Sequence, residues 1–135
     1  MFLIDTNVWL ELLLDQEKAS EVRTFLHRIE ASLLAITEFS LYSIGVILTR
    51  LQKDDLLIDF LNDTIKESGV SVVRLDVEGL IQIISIKKQF DLDFDDAYQY
   101  VAGSRPGFVL VSFDTDFDRT EKGRKKPLEA LALIK

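Results

Sequence analysis

Strand and helix signals alternate along this 135-residue chain, which predicts an α/β fold: a three-layer α/β/α sandwich around a central parallel sheet of four to five strands. Three observations carry that expectation. Short apolar or β-branched runs recur at 1–4, 33–36, 70–75 and 108–112. The stretches between them are long enough for helical crossovers, which parallel strands require. No Pro/Gly/Ser-rich linker, low-complexity tract or repeat interrupts the series, and with 47% hydrophobic residues the chain reads as a single domain over 1–135.

Taken in order, Met1-Phe2-Leu3-Ile4 is a short buried strand, 7–14 and 17–30 are helices, and 33–36 is a strand. Residues 37–51 and 55–67 read as helices, closed at Ser68-Gly69 because glycine accepts the left-handed conformation that ends a helix. Val70 to Leu75 is the most β-branched run and makes the next strand. Helices over 77–90 and 94–103 follow, then a turn at Arg105-Pro106-Gly107, a strand at 108–112 and a short edge strand at Leu131 to Ile134.

Composition removes several function classes. There is no cysteine, so disulfides and thiolate metal sites are excluded. The single histidine, His27, lies mid-helix among charged residues and reads as solvated. The amino terminus lacks a basic region and carries Asp5 and Glu11 inside its apolar stretch, which argues against a signal peptide. No apolar run approaches the roughly 20 residues of a membrane span; the expectation is a cytoplasmic protein without membrane contact. A net charge of −7 disfavours indiscriminate nucleic-acid binding, which draws on cationic contacts to phosphate.

The chemistry lies in acids at the ends of strands. Asp5 follows the first strand, Glu38 the second and Asp114 the fourth, while Asp96 opens a helix. In parallel α/β sheets, ligands bind outside the carboxyl ends of the strands. Carboxylates gathered there make a site for Mg²⁺ or Mn²⁺, because close acids repel until a divalent cation relieves them. Each acid alone also fits a helix cap or first turn. Calcium-loop spacing fails: after Asp91, Asp93 and Asp95, Asp96 stands where glycine is needed and Ala102 where the bidentate glutamate is needed. From Asp114, Asp116 and Asp118, Lys125 falls at the twelfth position. No glycine-rich phosphate loop is present.

The motifs Asp5-Thr6-Asn7, Thr37-Glu38-Phe39, Asp95-Asp96-Ala97 and Val111-Ser112-Phe113-Asp114-Thr115-Asp116-Phe117 come in an order that resembles the PIN domain of VapC-type toxin ribonucleases and related metal-dependent nucleases. The resemblance implies metal-binding, catalytic roles for Asp5, Glu38, Asp96 and Asp114. It adds Asp116 as a further metal ligand and Asn7 and Ser112 as supporting polar groups. Helical phase does not choose between Asp95 and Asp96; the family's aspartate-before-alanine pattern favours Asp96. The implied activity is endoribonuclease hydrolysis of RNA by a two-metal scheme, needing neither histidine nor serine. An antitoxin protein is the implied partner. The rivals are a PIN-like module that binds RNA or protein without cutting, and a receiver-like phosphoacceptor; the latter expects a lysine after a late strand, where Phe113-Asp114 stands instead.

Two further features bear on partners. Arg119, Lys122, Arg124, Lys125 and Lys126 make the densest basic stretch, directly after the fourth acid, and read as an RNA-phosphate patch. The helix from Thr37 to Leu51 is apolar over more than one face, with Phe39, Leu41, Tyr42, Ile44, Val46, Ile47, Leu48 and Leu51, and part of that surface suits a homodimer.

Overall fold

In a computed structural model that describes residues 1–134, four strands form one parallel sheet: β1 (Phe2–Ile4), β2 (Leu34–Thr37), β3 (Ser71–Val73) and β4 (Val109–Val111), in the order β3-β2-β1-β4. The chain winds outward from β1 through β2 to β3, then returns to the other side of β1 for β4. The strand order therefore reverses between β1 and β4, where a crevice opens at the carboxyl ends. Asp5 and Asp114 stand at the two lips of that reversal.

Side-chain alternation divides the core into two. Phe2, Ile4, Leu34, Ile36 and Val111 face one layer; Leu3, Ala35 and Leu110 face the other. The first layer holds α1 (Thr6–Leu13), α2 (Ala19–Arg28), α3 (Glu38–Arg50), α4 (Asp54–Asp59) with its π-helical continuation Phe60–Glu67, and α7 (Pro127–Leu131). Trp9, Phe25, Ile44 and Leu48 are fully buried there. The second layer holds α5 (Val77–Phe90) and α6 (Phe94–Gly103), through Ile83, Ala97, Tyr98 and Ala102. Both faces of the sheet are covered, which is why the strands read as continuous apolar runs. No helix among the described residues is long and apolar enough to cross a membrane.

Glycine closes the π-helical segment as expected, Gly69 sitting at φ +80°. The edge strand expected at Leu131 to Ile134 is overturned. Pro127 starts α7, and Glu129 accepts a hydrogen bond from the Lys126 amide at 2.9 Å, which caps the helix in place of a side chain at the first position. Buried Ala130 then fixes α7 among the first-layer helices. The sheet is extended earlier instead: Lys125 bridges Val111 in parallel, with Lys125 N donating to Leu110 O at 2.8 Å and Ser112 N to Lys125 O at 3.0 Å.

Candidate metal centre

Asp5 caps α1, its Oδ1 accepting from Thr6 N at 2.8 Å. The carboxylate is almost inaccessible, at 5% exposure. Gln99 Nε2 donates to Oδ1 at 2.9 Å and Ser112 Oγ to Oδ2 at 2.7 Å. Burial pushes its pKa up, against the pull of these donors and with a further push from the charge of Asp114.

Ser112 is a hub. While its hydroxyl donates to Asp5, its oxygen accepts from Asp114 N at 2.9 Å and from Asn7 Nδ2 at 3.3 Å. Asn7 Oδ1 in turn accepts from Phe113 N at 3.2 Å. The ends of β1 and β4 are thereby tied together by side chains as well as by the Asp5 N to Val111 O hydrogen bond of 2.9 Å.

Asp114 opens a 3₁₀ turn, Thr115–Arg119, by accepting from Asp116 N at 2.8 Å. Asp96, in the first turn of α6, comes in from the other layer. Asp96, Asp114 and Asp116 each place one carboxylate oxygen within 4.8 Å of the others. Half-buried Asp96 is pushed up to about 8, first by burial, then by the charges of Asp114 and Asp93, and by a side-chain hydrogen bond to Asp114 that only its protonated form can donate. A proton thus occupies the space that a cation would share. A donor set of hard carboxylate oxygens, whose close approach a shared proton relieves at neutral pH, fits Mg²⁺ or Mn²⁺. Asp116 is also drawn to Arg119, Nη1 to Oδ1 at 3.1 Å.

Of the neighbouring pair Asp95 and Asp96, Asp96 enters the carboxylate cluster and Asp95 stays exposed at the rim. Glu38 is not brought in. It lies in the first turn of α3, where Thr37 caps the helix through Oγ1 to Ser40 N at 2.9 Å. Its carboxylate faces Tyr42 one turn along, raising the pKa of that phenol by its charge and by a hydrogen bond.

What occupies the inner wall instead is a neutral network absent from the sequence reading. Thr37 Oγ1 donates to Gln99 Oε1 at 2.7 Å, Gln99 Nε2 donates to Ser40 Oγ at 3.0 Å as well as to Asp5, and Ser40 shares a 2.7 Å hydrogen bond with Thr6 Oγ1. Gln99 is 2% exposed. A buried amide with both ends satisfied orients Asp5 as firmly as Ser112 does. Gln99→Leu is expected to strand the Thr37 hydroxyl hydrogen, to take one partner each from Ser40 and Asp5, and to lower unfolding free energy by about 2–3 kcal/mol, read by urea denaturation; Gln99→Glu is expected not to restore it, since a second buried acid faces Asp5. A stable Gln99→Leu would mean the network is not structural.

Three of the five cations expected to hold RNA are engaged elsewhere. Arg119 donates from Nε to Phe90 O at 3.1 Å and from Nη2 to Asp91 O at 2.6 Å, covering the last turn of α5. Lys122 Nζ donates to Gly103 O at the end of α6, and burial lowers its pKa. Arg124 pairs with Asp118 through Nε and Nη2, both at 3.2 Å, and donates to Ser112 O, with only 9% of its side chain exposed. Lys125 and Lys126 remain exposed.

A cleft of 540 Å³ runs from Asp5, Asp95 and Asp96 along α1 and α3, lined by Leu10, Phe39, Tyr42, Val46 and Ile47 among others. The α3 surface that looked surplus to one core is thus partly cleft wall: Ile44 and Leu48 are buried, while Tyr42 and Val46 stay 66% and 46% exposed.

A family model described as PIN domain matches residues 2–123. No curated protein matches the chain at the level of sequence. Among solved structures, the Mycobacterium tuberculosis toxin VapC20, described as cleaving the sarcin–ricin loop, superposes with TM-score 0.78 at 16% identity, covering 94% of this chain and 100% of that one. FitAcB from Neisseria gonorrhoeae gives 0.75 at 20% identity, with 95% and 99% covered. A toxin–antitoxin complex from Klebsiella pneumoniae gives 0.73 at 15% identity, with 94% and 98% covered. At these identities the likeness is one of fold.

Proposed function

The chain belongs to the PIN-domain family, and from that premise we propose that it is a divalent-metal-dependent endoribonuclease, the toxin of a toxin–antitoxin pair. The observation that carries this is the convergence of Asp96, Asp114 and Asp116 beside buried Asp5 at the sheet's reversal point. Membership of a family of nucleases and likeness to toxins found in complexes with antitoxins support it.

In this reading Asp5, Asp96, Asp114 and Asp116 hold Mg²⁺ or Mn²⁺, which when bound supplies an acidified water and neutralises charge on the phosphodiester. The protein's own part is positioning. Asp5 is fixed by three donors, so its lone pairs are aimed before substrate arrives. Ser112 and Asn7 keep the Asp5 and Asp114 segments in register. Asp96 surrenders its proton on cation binding, so the site's affinity rises with pH. Phe39 and Tyr42, on the cleft wall, offer faces on which an unpaired base stacks.

The cleft walled by α3 suits an antitoxin segment, and exposed Tyr42, Val46 and Leu51 suit a homodimer contact; light scattering at high micromolar concentration is expected to give twice the chain mass, a monomer mass removing that assembly. The deciding assay is cleavage of single-stranded RNA, ribosomal RNA included, with Mg²⁺, Mn²⁺ or EDTA. Intact RNA in every arm would leave the non-cutting RNA- or protein-binding module as the reading.

A further inference from the structure

We propose that a second site, formed by Lys18, Lys126, Thr115 and Phe113 beside the carboxylate cluster, holds a phosphate of the RNA strand flanking the bond to be cut; this rests on the nuclease reading above. A pocket of 240 Å³ is lined by Lys18, Glu21, Phe113, Thr115, Arg124 and Lys126. Its two halves come from distant parts of the chain. Lys18 precedes α2 and rests with Nζ 4.6 Å from the centre of the Phe113 ring. Arg124 and Lys126 come from the segment that extends the sheet beyond β4. Alternation along that extended segment turns residues 124 and 126 to one side and Lys125 to the other, which is why Lys125 does not line the pocket.

Charge decides the ligand. Arg124 is matched by Asp118, but neither Lys18 nor Lys126 takes part in an ion pair among the described residues. Glu21 lines the pocket and Glu129 approaches Lys126 through its backbone amide, so the site is a local one in an acidic protein, suited to one phosphate rather than to a polyanion. Thr115 adds a hydroxyl, and the Phe113 ring a face for a base or ribose.

Position ties the pocket to the reaction. Phe113 and Thr115 flank Asp114 on either side in the chain, so the pocket borders the segment that carries that acid, although the Asp114 side chain is not part of its lining. On the opposite side, the cleft lined by Phe39 and Tyr42 has no lysine or arginine in its wall. The lysines proposed to hold the strand therefore lie on the Phe113 side of the acids, away from the aromatic cleft wall. The contact reads phosphate, not base, and confers no sequence preference.

The test measures binding of a labelled single-stranded oligoribonucleotide to the metal-free Asp114→Asn protein, which separates binding from cutting. Adding Lys18→Gln and Lys126→Gln together is expected to weaken binding about tenfold near 100 mM salt and to make the salt slope shallower by about 1.4, two contacts at about 0.7 each. Adding Lys66→Gln alone, an exposed lysine on the π-helical segment, is expected to change affinity less than about twofold. In the cleaving protein, the double substitution raises KM and leaves kcat unchanged. Unaltered binding in the double variant, or an equal loss from Lys66→Gln, overturns the site even if the protein cuts RNA. If RNA is bound, and lost in the double variant, but never cut, the site stands and the hydrolytic reading falls.

Discussion

Asp114→Asn is expected to lower metal-dependent RNA cleavage by about 10²-fold or more while the protein keeps its fold. The reason lies in what each half of that side chain does. Oδ1 accepts from Asp116 N and caps the 3₁₀ turn, and asparagine caps as well as aspartate does. What is lost is a charge within the cluster of Asp96, Asp114 and Asp116. The wild-type protein is expected to cut single-stranded RNA with Mg²⁺ or Mn²⁺, to leave a 5′-phosphate, and to stop in EDTA. Full-rate cleavage by Asp114→Asn, or in EDTA, would assign the activity to a contaminant or to other chemistry. Asp5→Asn is a less discriminating variant. Its new amide would point a donor at Ser112 Oγ, which already accepts from Asp114 N and Asn7, so part of any loss would come from loosening β1 against β4.

The parts of this site that the sequence made legible are those fixed by backbone topology. A buried strand followed by an acid predicts a carboxylate at the sheet's carboxyl edge, and Asp5 and Asp114 are there because β1 and β4 are neighbours. Asp96 arrives because α6 starts close by, in the layer opposite α1. Glu38 obeyed the same strand-then-acid pattern yet lies outside the cluster of Asp96, Asp114 and Asp116, because helical phase turns it towards Tyr42 and gives the inward position to Ser40, two residues on. Gln99 carried no signal: a lone glutamine in a helix reads as surface, and only the packing of α6 on the sheet buries it. The basic run was visible as composition. Which cations are spent on carbonyls at the ends of α5 and α6 depends on where those helices stop in space. Lys18 lies some hundred residues from that run and joins it only through the tertiary fold. The run Leu131 to Ile134 misled because its apolar residues outweighed the start signal of Pro127 and Glu129.

In the absence of a divalent cation, the protein is expected to melt at a lower temperature as pH rises from about 5 to about 8.5, and Mn²⁺ is expected to reverse that trend. The sign follows from Asp96. Its ordinary value is 3.8 and the folded cluster raises it to about 8, so between those values the native state holds a proton that the unfolded chain has released. Stability then falls with pH across that window: the contribution is complete below about 4 and lost as pH passes through about 8. Burial raises Asp5 as well, which acts in the same direction. Asp96 is only half buried, and solvent screening keeps the effect well below what its shift alone would imply. Mn²⁺ competes with that proton, so its stabilisation grows with pH; at about 100 times its Kd it is worth about 2.7 kcal/mol, a rise in Tm on the order of 5–10 °C. Asp96→Asn should flatten the pH dependence in EDTA and remove most of the Mn²⁺ shift. Melting curves at pH 5, 7 and 8.5, with EDTA or millimolar Mn²⁺, separate the outcomes. A metal-free Tm that is constant or rises across this range would show that Asp96 is ionised in the folded protein. An Mn²⁺ shift that survives Asp96→Asn unchanged would place the cation somewhere other than the cluster of Asp96, Asp114 and Asp116.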